Sequence, residues 1–232
     1  IIYTQDHLAL LERNNFWKVY ETALKKMNKY NILLQYYMLD RDGGHHTPGQ
    51  LYDRVTTLFS VSALQQHENW KKLESVFLES VPDVPEPLLG DVGQIVISYF
   101  RSCDTFVLVK LSDNPRHQYL YLSPFFPLDT TRTEEPAMIL RAKWIELVAE
   151  YCPALLIRQL ENHPVSYFDL DQVCKICEKH GFCDVLIWAY DRLGQIDRAM
   201  DVLDTFVDRA VCRVQTCIEG HSDSVSTATS EC

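Results

Sequence analysis

The segment VCKICEKHGFC, Val173 to Cys183, sets Cys174, Cys177, His180 and Cys183 at one repeated three-residue spacing. Thiolate and imidazole are the ligands of structural zinc, and such a site needs four donor atoms about 2 Å from a single point. On a helix, each step of three residues turns about 300°, so the four side chains fan over about 180° and climb about 13 Å along the axis. They do not converge. Gly181 reads as a helix-ending residue that sends Cys183 off in a new direction. Zinc sites built on C-x-x-C use a tight knuckle and take a second pair from elsewhere. Cys103, Cys152, Cys212, Cys217 and Cys232 supply no second knuckle. A thioredoxin-like redox pair needs a βαβ setting, which the pattern lacks. The spacing does fit burial: Leu170, Val173, Cys174 and Cys177 stand at i, i+3, i+4 and i+7, the inner face of an amphipathic helix. The expectation is a pair of core thiols, with no metal and no cofactor.

Other reactive side chains read the same way. His45 and His46, in the Gly- and Pro-containing loop DRDGGHHTPG (Asp40 to Gly49), are adjacent and therefore diverge. Glu134 with Glu135, and Asp169 with Asp171, sit where helix starts favour negative charge. His117, His163 and His180 are single histidines at turns or helix ends, with no partner identifiable by spacing. No phosphate-cradling glycine loop, G-x-S-x-G elbow or H-E-x-x-H motif occurs, and eight glycines leave little material for such loops. No catalytic, cofactor-binding or metal-binding residue is assigned, and the chain is not expected to be an enzyme.

Composition narrows the remaining classes. Of 232 residues, 47% are hydrophobic and 23% charged, the balance of a folded soluble protein. The net charge of −10, from 32 acidic and 22 basic residues, argues against a nucleic-acid partner, because phosphate backbones demand clustered Lys and Arg. The opening residues IIYTQDHLALLERNN lack an initiator Met, a basic n-region and an apolar h-region, so nothing there reads as a signal peptide; the chain is expected to be a piece of something longer, with reduced cysteines in the cytoplasm. No apolar run approaches the ~20 residues of a membrane span. The longest, IVISYF at Ile95 to Phe100, reads as core, and any membrane association would be peripheral.

Helical periodicity, not alternation, runs through the chain. Phe16, Val19, Tyr20, Ala23, Leu24 and Met27 make one stripe; beyond the Asn28-Lys29 break, Ile32, Leu33, Tyr36, Tyr37 and Leu39 make another. Two short helices so closely joined form a hairpin. Helices are expected over about 50–66, 69–78, 88–102, 105–111 and 116–125, with a break at the prolines of VPDVPEP, Val81 to Pro87. Tyr119, Tyr121, Phe125 and Phe126 read as a packed helix end. PLDTTRTEEP (127–136) is a polar loop and the best candidate for a sub-domain boundary. Beyond it come helices at 137–151, from Pro153 to about Glu161, at 170–179, 182–193, and 195 to about 218. Asp169 is expected to cap the helix 170–179, and Gly181 and Gly194 to end helices. Ile196, Ala199, Met200, Leu203, Phe206, Val207, Ala210 and Val214 form the stripe of the last helix. Short helices that each bury one stripe need neighbours on both sides, the condition of an α-solenoid. The expected organisation is all-α: a helical-hairpin solenoid part over 1–126, the loop 127–136, repeat-like units over 137–219, and a disordered tail over 220–232.

The segment YFDLDQVCKICEKHGFCDVLIWAYDRLGQIDRAMDVLDTFVDRA, with its C-E-K-H-G turn and R-L-G helix end, resembles the clathrin-heavy-chain-type helical repeat of the vacuolar protein sorting tethering subunits. LLERNNFWKVYETALKKMNKYNILLQYYMLDRD resembles the hairpin of the same family, and AMILRAKWIELVAEYCPALLIRQLEN its intervening unit with a Y-C-P turn. The resemblance covers about Leu8 to Ala210. It implies a non-enzymatic scaffold segment of a CORVET-like endosomal tethering complex, cytoplasmic and peripheral on endosomal membranes, acting in vesicle tethering and fusion and in endosome-to-vacuole or lysosome transport. Its partners would be other tether subunits, bound through helix edges. A HOPS-like tether, a vesicle coat or a nuclear-pore coat would use a similar solenoid. The family also carries an N-terminal β-propeller and a C-terminal RING zinc domain. The RING ligand ladder is missing here, so zinc binding is carried onto no residue, and a Rab GTPase contact is expected outside this segment.

Overall fold

A computed structural model describes residues 3–40, 49–60, 67–128 and 135–228. Among these the regular elements are all helical. They are α1 (Gln5–Arg13), α2 (Trp17–Lys26), α3 (Tyr30–Met38), α4 (Gln50–Phe59), α5 (His67–Ser80), α6 (Leu89–Tyr99), α7 (Asp104–Lys110), α8 (Pro115–Leu122), α9 (Phe125–Leu128), α10 (Glu135–Tyr151), α11 (Leu156–Glu161), α12 (Leu170–His180), α13 (Cys183–Arg192) and α14 (Ile196–Ala228). The chain divides into two compact units, up to Leu140 and from Arg141 onward, so the division falls within α10.

In the first unit the main packing partners are α1 with α2, α2 with α3, α3 with α4 and α5, α4 with α6, and α6 with α8. In the second they are α11 with α13, α12 with α13, and α13 with α14. In each of these pairs a helix packs on the next helix or the next but one. Short amphipathic helices force this arrangement, because a helix of about ten residues buries one stripe and is unstable alone.

Four of the connections share a single geometry. Asn15, Asn28, Gly181 and Gly194 adopt the left-handed conformation, with φ of 58°, 53°, 75° and 71°. In each case the next residue donates its amide back to a carbonyl five positions earlier: Phe16 to Leu11 at 3.0 Å, Lys29 to Leu24 at 3.0 Å, Phe182 to Cys177 at 3.0 Å and Gln195 to Tyr190 at 2.9 Å. This is the bond that closes a Schellman C-cap, and it satisfies a carbonyl the helix would otherwise leave orphaned. A new helix then begins at once, at Trp17, Tyr30, Cys183 and Ile196. Asn15 and Asn28 stand 13 positions apart, as do Gly181 and Gly194.

Between these hairpins the packing is less regular. Phe59, Trp70, Phe77 and Phe100 form an aromatic cluster, with ring centroids 5.1 Å apart for Phe59 and Trp70 and 4.9 Å for Phe77 and Phe100. Gly93 on α6 lies so close to the end of α8 that an added Cβ would stand 2.2 Å from the Tyr121 carbonyl oxygen. The carboxylate of Asp91, buried on the same helix, accepts amides of Gly49, Leu51 and Tyr52 at the start of α4. In the second unit, buried Arg141 donates to the Tyr167 carbonyl at 3.1 Å and lies 3.6 Å above the Tyr167 ring.

Several boundaries differ from the sequence expectation. The helix expected over 116–125 is two, α8 and α9, because Ser123 and Pro124 form a turn between them. VPDVPEP contributes 3-10 turns at Val81–Asp83 and Glu86–Leu88, a geometry that tolerates proline in its first positions. Pro153 likewise opens a 3-10 turn before α11. α14 runs on to Ala228, past the end expected near Ile218 and into the stretch expected to be disordered. Ser and Thr remove the apolar reason to pack, yet cost a helix only a few tenths of a kcal/mol each. The loop residues 129–134, the paired His45 and His46, and the tail beyond Ala228 lie outside the described residues.

Candidate functional site

α12 forms where Asp169 accepts the amides of Asp171 and Gln172, and ends where Gly181 turns left-handed. On the helix so defined, Leu170, Val173, Cys174 and Cys177 are all buried. His180 is exposed and stacks on Phe182, with ring planes 6° apart, while Cys183 starts α13 and is half-buried. The four spaced residues therefore split, two inward and two away. Burial pushes the Cys177 thiol up to about 12 and raises that of Cys174, where Glu178 and Asp171 add to the effect. Both stay protonated near neutrality, the form that is neither nucleophile nor metal ligand. Among the described residues no group of three or more His, Cys, Asp or Glu is placed to hold a metal ion.

Each unit has a groove between three helices, and the two are lined alike. In the first unit, Tyr37 of α3 donates its hydroxyl to Glu21 of α2 at 2.7 Å, and the Arg54 guanidinium of α4 lies 5.4 Å from the Tyr37 ring. In the second, Tyr190 of α13 donates to Glu178 of α12 at 2.6 Å, and Arg198 of α14 lies 5.8 Å from the Tyr190 ring. Lys25 and Asp53 complete the first groove, and Lys175 and Asp201 the second. Burial and then Glu21 push the Tyr37 phenol far up, while the Glu178 hydrogen bond and then burial push Tyr190 up to about 12. Burial works against the Glu21 charge, but hydrogen bonds from Lys25 and Tyr37 outweigh it and lower the carboxyl. In both grooves the phenol's hydrogen bond to the glutamate fastens one helix to the next. The pairs make no nucleophile and base.

The other single histidines are held by local contacts. His163 places Nδ1 2.8 Å from the Gln159 carbonyl and stacks on Tyr167 with centroids 4.4 Å apart, so it has partners that spacing did not identify. The amide of His117 donates to the Asn114 side chain that caps α8. Spacing also gave no sign of Asp91 or Arg141, whose partners lie far along the chain or in an irregular turn.

The surface feature left standing is α14. Of its expected core stripe, Ala199 is buried, whereas Ile196, Met200, Leu203, Phe206, Val207 and Val214 are exposed. Among the described residues no helix is long and apolar enough to cross a membrane. No protein-family model, no curated protein and no solved structure matches the chain.

Proposed function

We propose that the chain is a segment of α-solenoid serving as a non-enzymatic scaffold in a CORVET-like endosomal tethering complex, where it spaces and orients other subunits and binds them through helix edges. The reading places it in the cytoplasm, peripheral on endosomal membranes, and leaves Rab contact to regions outside this segment. The observation that carries it is the shared turn: Asn15 and Asn28, and again Gly181 and Gly194, stand 13 positions apart with the same backward amide bond, and the helices they join pack on their neighbours. Structural repeats that contact mainly their neighbours build extended binding surfaces without a catalytic pocket. The three-helix grooves support the same reading, because their Glu–Tyr pairs fasten successive helices.

Deleting residues 137–210 from the tagged protein tests the proposal. Loss of co-purification with the other endosomal tether subunits is expected. Assembly that is unchanged by the deletion refutes it.

A further inference from the structure

α14 carries two neighbouring apolar faces, and the smaller one is packed. Ala199 and Val202, with Gln195 just before the helix, are the positions shielded against the rest of the second unit. About 90° around the helix, Ile196, Met200, Leu203, Val207, Ala210 and Val214 follow alternating steps of four and three; all are exposed, the five larger side chains by between 37% and 65%. That is the spacing of an a/d seam. Beyond the seam, on the side away from the packed face, Asp197, Asp201, Asp204 and Asp208 form an exposed acidic stripe at the same rhythm.

We infer that this seam is the docking site for one amphipathic helix of a partner protein, about 18 residues long, with a Leu-like apolar stripe and a Lys- or Arg-rich flank. The inference deepens the scaffold reading and rests on it. The length follows from the seam, which spans about 27 Å at 1.5 Å per residue. The apolar stripe follows from the exposed side chains, since helix-in-groove recognition reads anchors at i, i+3, i+4 and i+7. The basic flank follows from charge complementarity. A helix seated on the seam has the body of the second unit on one side and four carboxylates on the other. A second copy of this chain in antiparallel pairing would bring Asp197 and Asp204 of both helices to the same edge, an arrangement that like charges disfavour.

The experiment uses two 18-residue helical peptides with Leu at every a and d position, one carrying Lys along one flank and the other Glu, titrated into the full chain by fluorescence anisotropy. The Lys peptide should bind about tenfold tighter than the Glu peptide, the sum of a few exposed ion pairs, and should lose that advantage in high salt. Asp197→Lys with Asp204→Lys should reverse the preference. Leu203→Asp with Val207→Asp should abolish binding of both peptides while leaving far-UV circular dichroism unchanged, because both side chains stand outside the core. Equal binding of the two peptides, or binding by neither, overturns the inference. So does a dimer in sedimentation that the Leu203→Asp, Val207→Asp variant dissolves. A protein that assembles with tether subunits regardless of that double substitution sinks the docking site and leaves the scaffold reading intact. A protein that binds the peptides as expected but never assembles with a tether does the reverse.

Discussion

Asp91 is where a single substitution should reveal how the first unit is held together. α4 begins after Gly49, a residue with no side chain to cap the helix and with φ of 94°. The cap comes instead from α6: one oxygen of the Asp91 carboxylate accepts the Gly49 amide at 2.8 Å, and the other accepts Leu51 at 3.0 Å and Tyr52 at 3.3 Å. Asp91 is 3% exposed, so the charge is tolerated because these amides and the positive end of the helix surround it. An N-cap is worth about 1 kcal/mol and up to about 2, and each hydrogen bond to a charged group about 1.5–3, without full additivity. Asp91→Ala should therefore cost about 3 kcal/mol. Asp91→Asn keeps one neutral acceptor and should cost about half as much. For a chain of this size the Ala variant should melt about 6–12 °C lower. Urea unfolding followed by far-UV circular dichroism measures both variants. An Ala variant within about 0.5 kcal/mol of the parent, or an Asn variant as costly as Ala, would refute the reasoning.

Gly93→Ala should destabilise by about 3 kcal/mol or more, visible as a lower melting temperature and weaker near-UV circular dichroism, because the new Cβ meets a backbone carbonyl and the Pro124 ring, neither of which gives way cheaply. Gly181→Ala should cost about 1 kcal/mol in urea unfolding, the price of a left-handed L-residue, with the helices on either side retained. Cys177, with its thiol pushed up to about 12, should resist Ellman's reagent at pH 8 in the folded protein while exposed Cys212 reacts at once. The Tyr190 phenol, pushed up to about 12, is raised in the folded state, so its contribution to stability is complete below about pH 10 and is lost as pH rises towards 12. Glu178→Gln should shift its phenolate absorbance titration to lower pH.

Local signals read well from the sequence, and distant ones did not. The α12 stripe and its Gly181 end depend on residues within one or two turns, so spacing alone placed Cys174 and Cys177 in the core. Gly194 was equally legible. Asn28 showed as a break, and Asn15 passed unnoticed, although the two Asn turns match the two Gly turns bond for bond. Asn supports the left-handed conformation less obviously than Gly does. Asp91 could not be found because its amide partners sit on a different helix, and Arg141 because its ring and carbonyl belong to a turn without periodicity. α14 teaches a different lesson. Periodicity identified its apolar stripe, but a stripe says only that a face is apolar, and the structure leaves most of it exposed. Of the first apolar stripe, Phe16 and Val19 are exposed for the same reason, while Tyr20, Ala23 and Leu24 are buried.

The most direct test of the scaffold proposal is where the tagged protein resides and what it brings with it. Imaging against an early-endosome marker, followed by affinity purification from the same cells, should give cytoplasmic puncta on endosomes and co-purifying tether subunits. A nuclear rim, coat subunits in place of tether subunits, or diffuse signal with no partner would contradict the account.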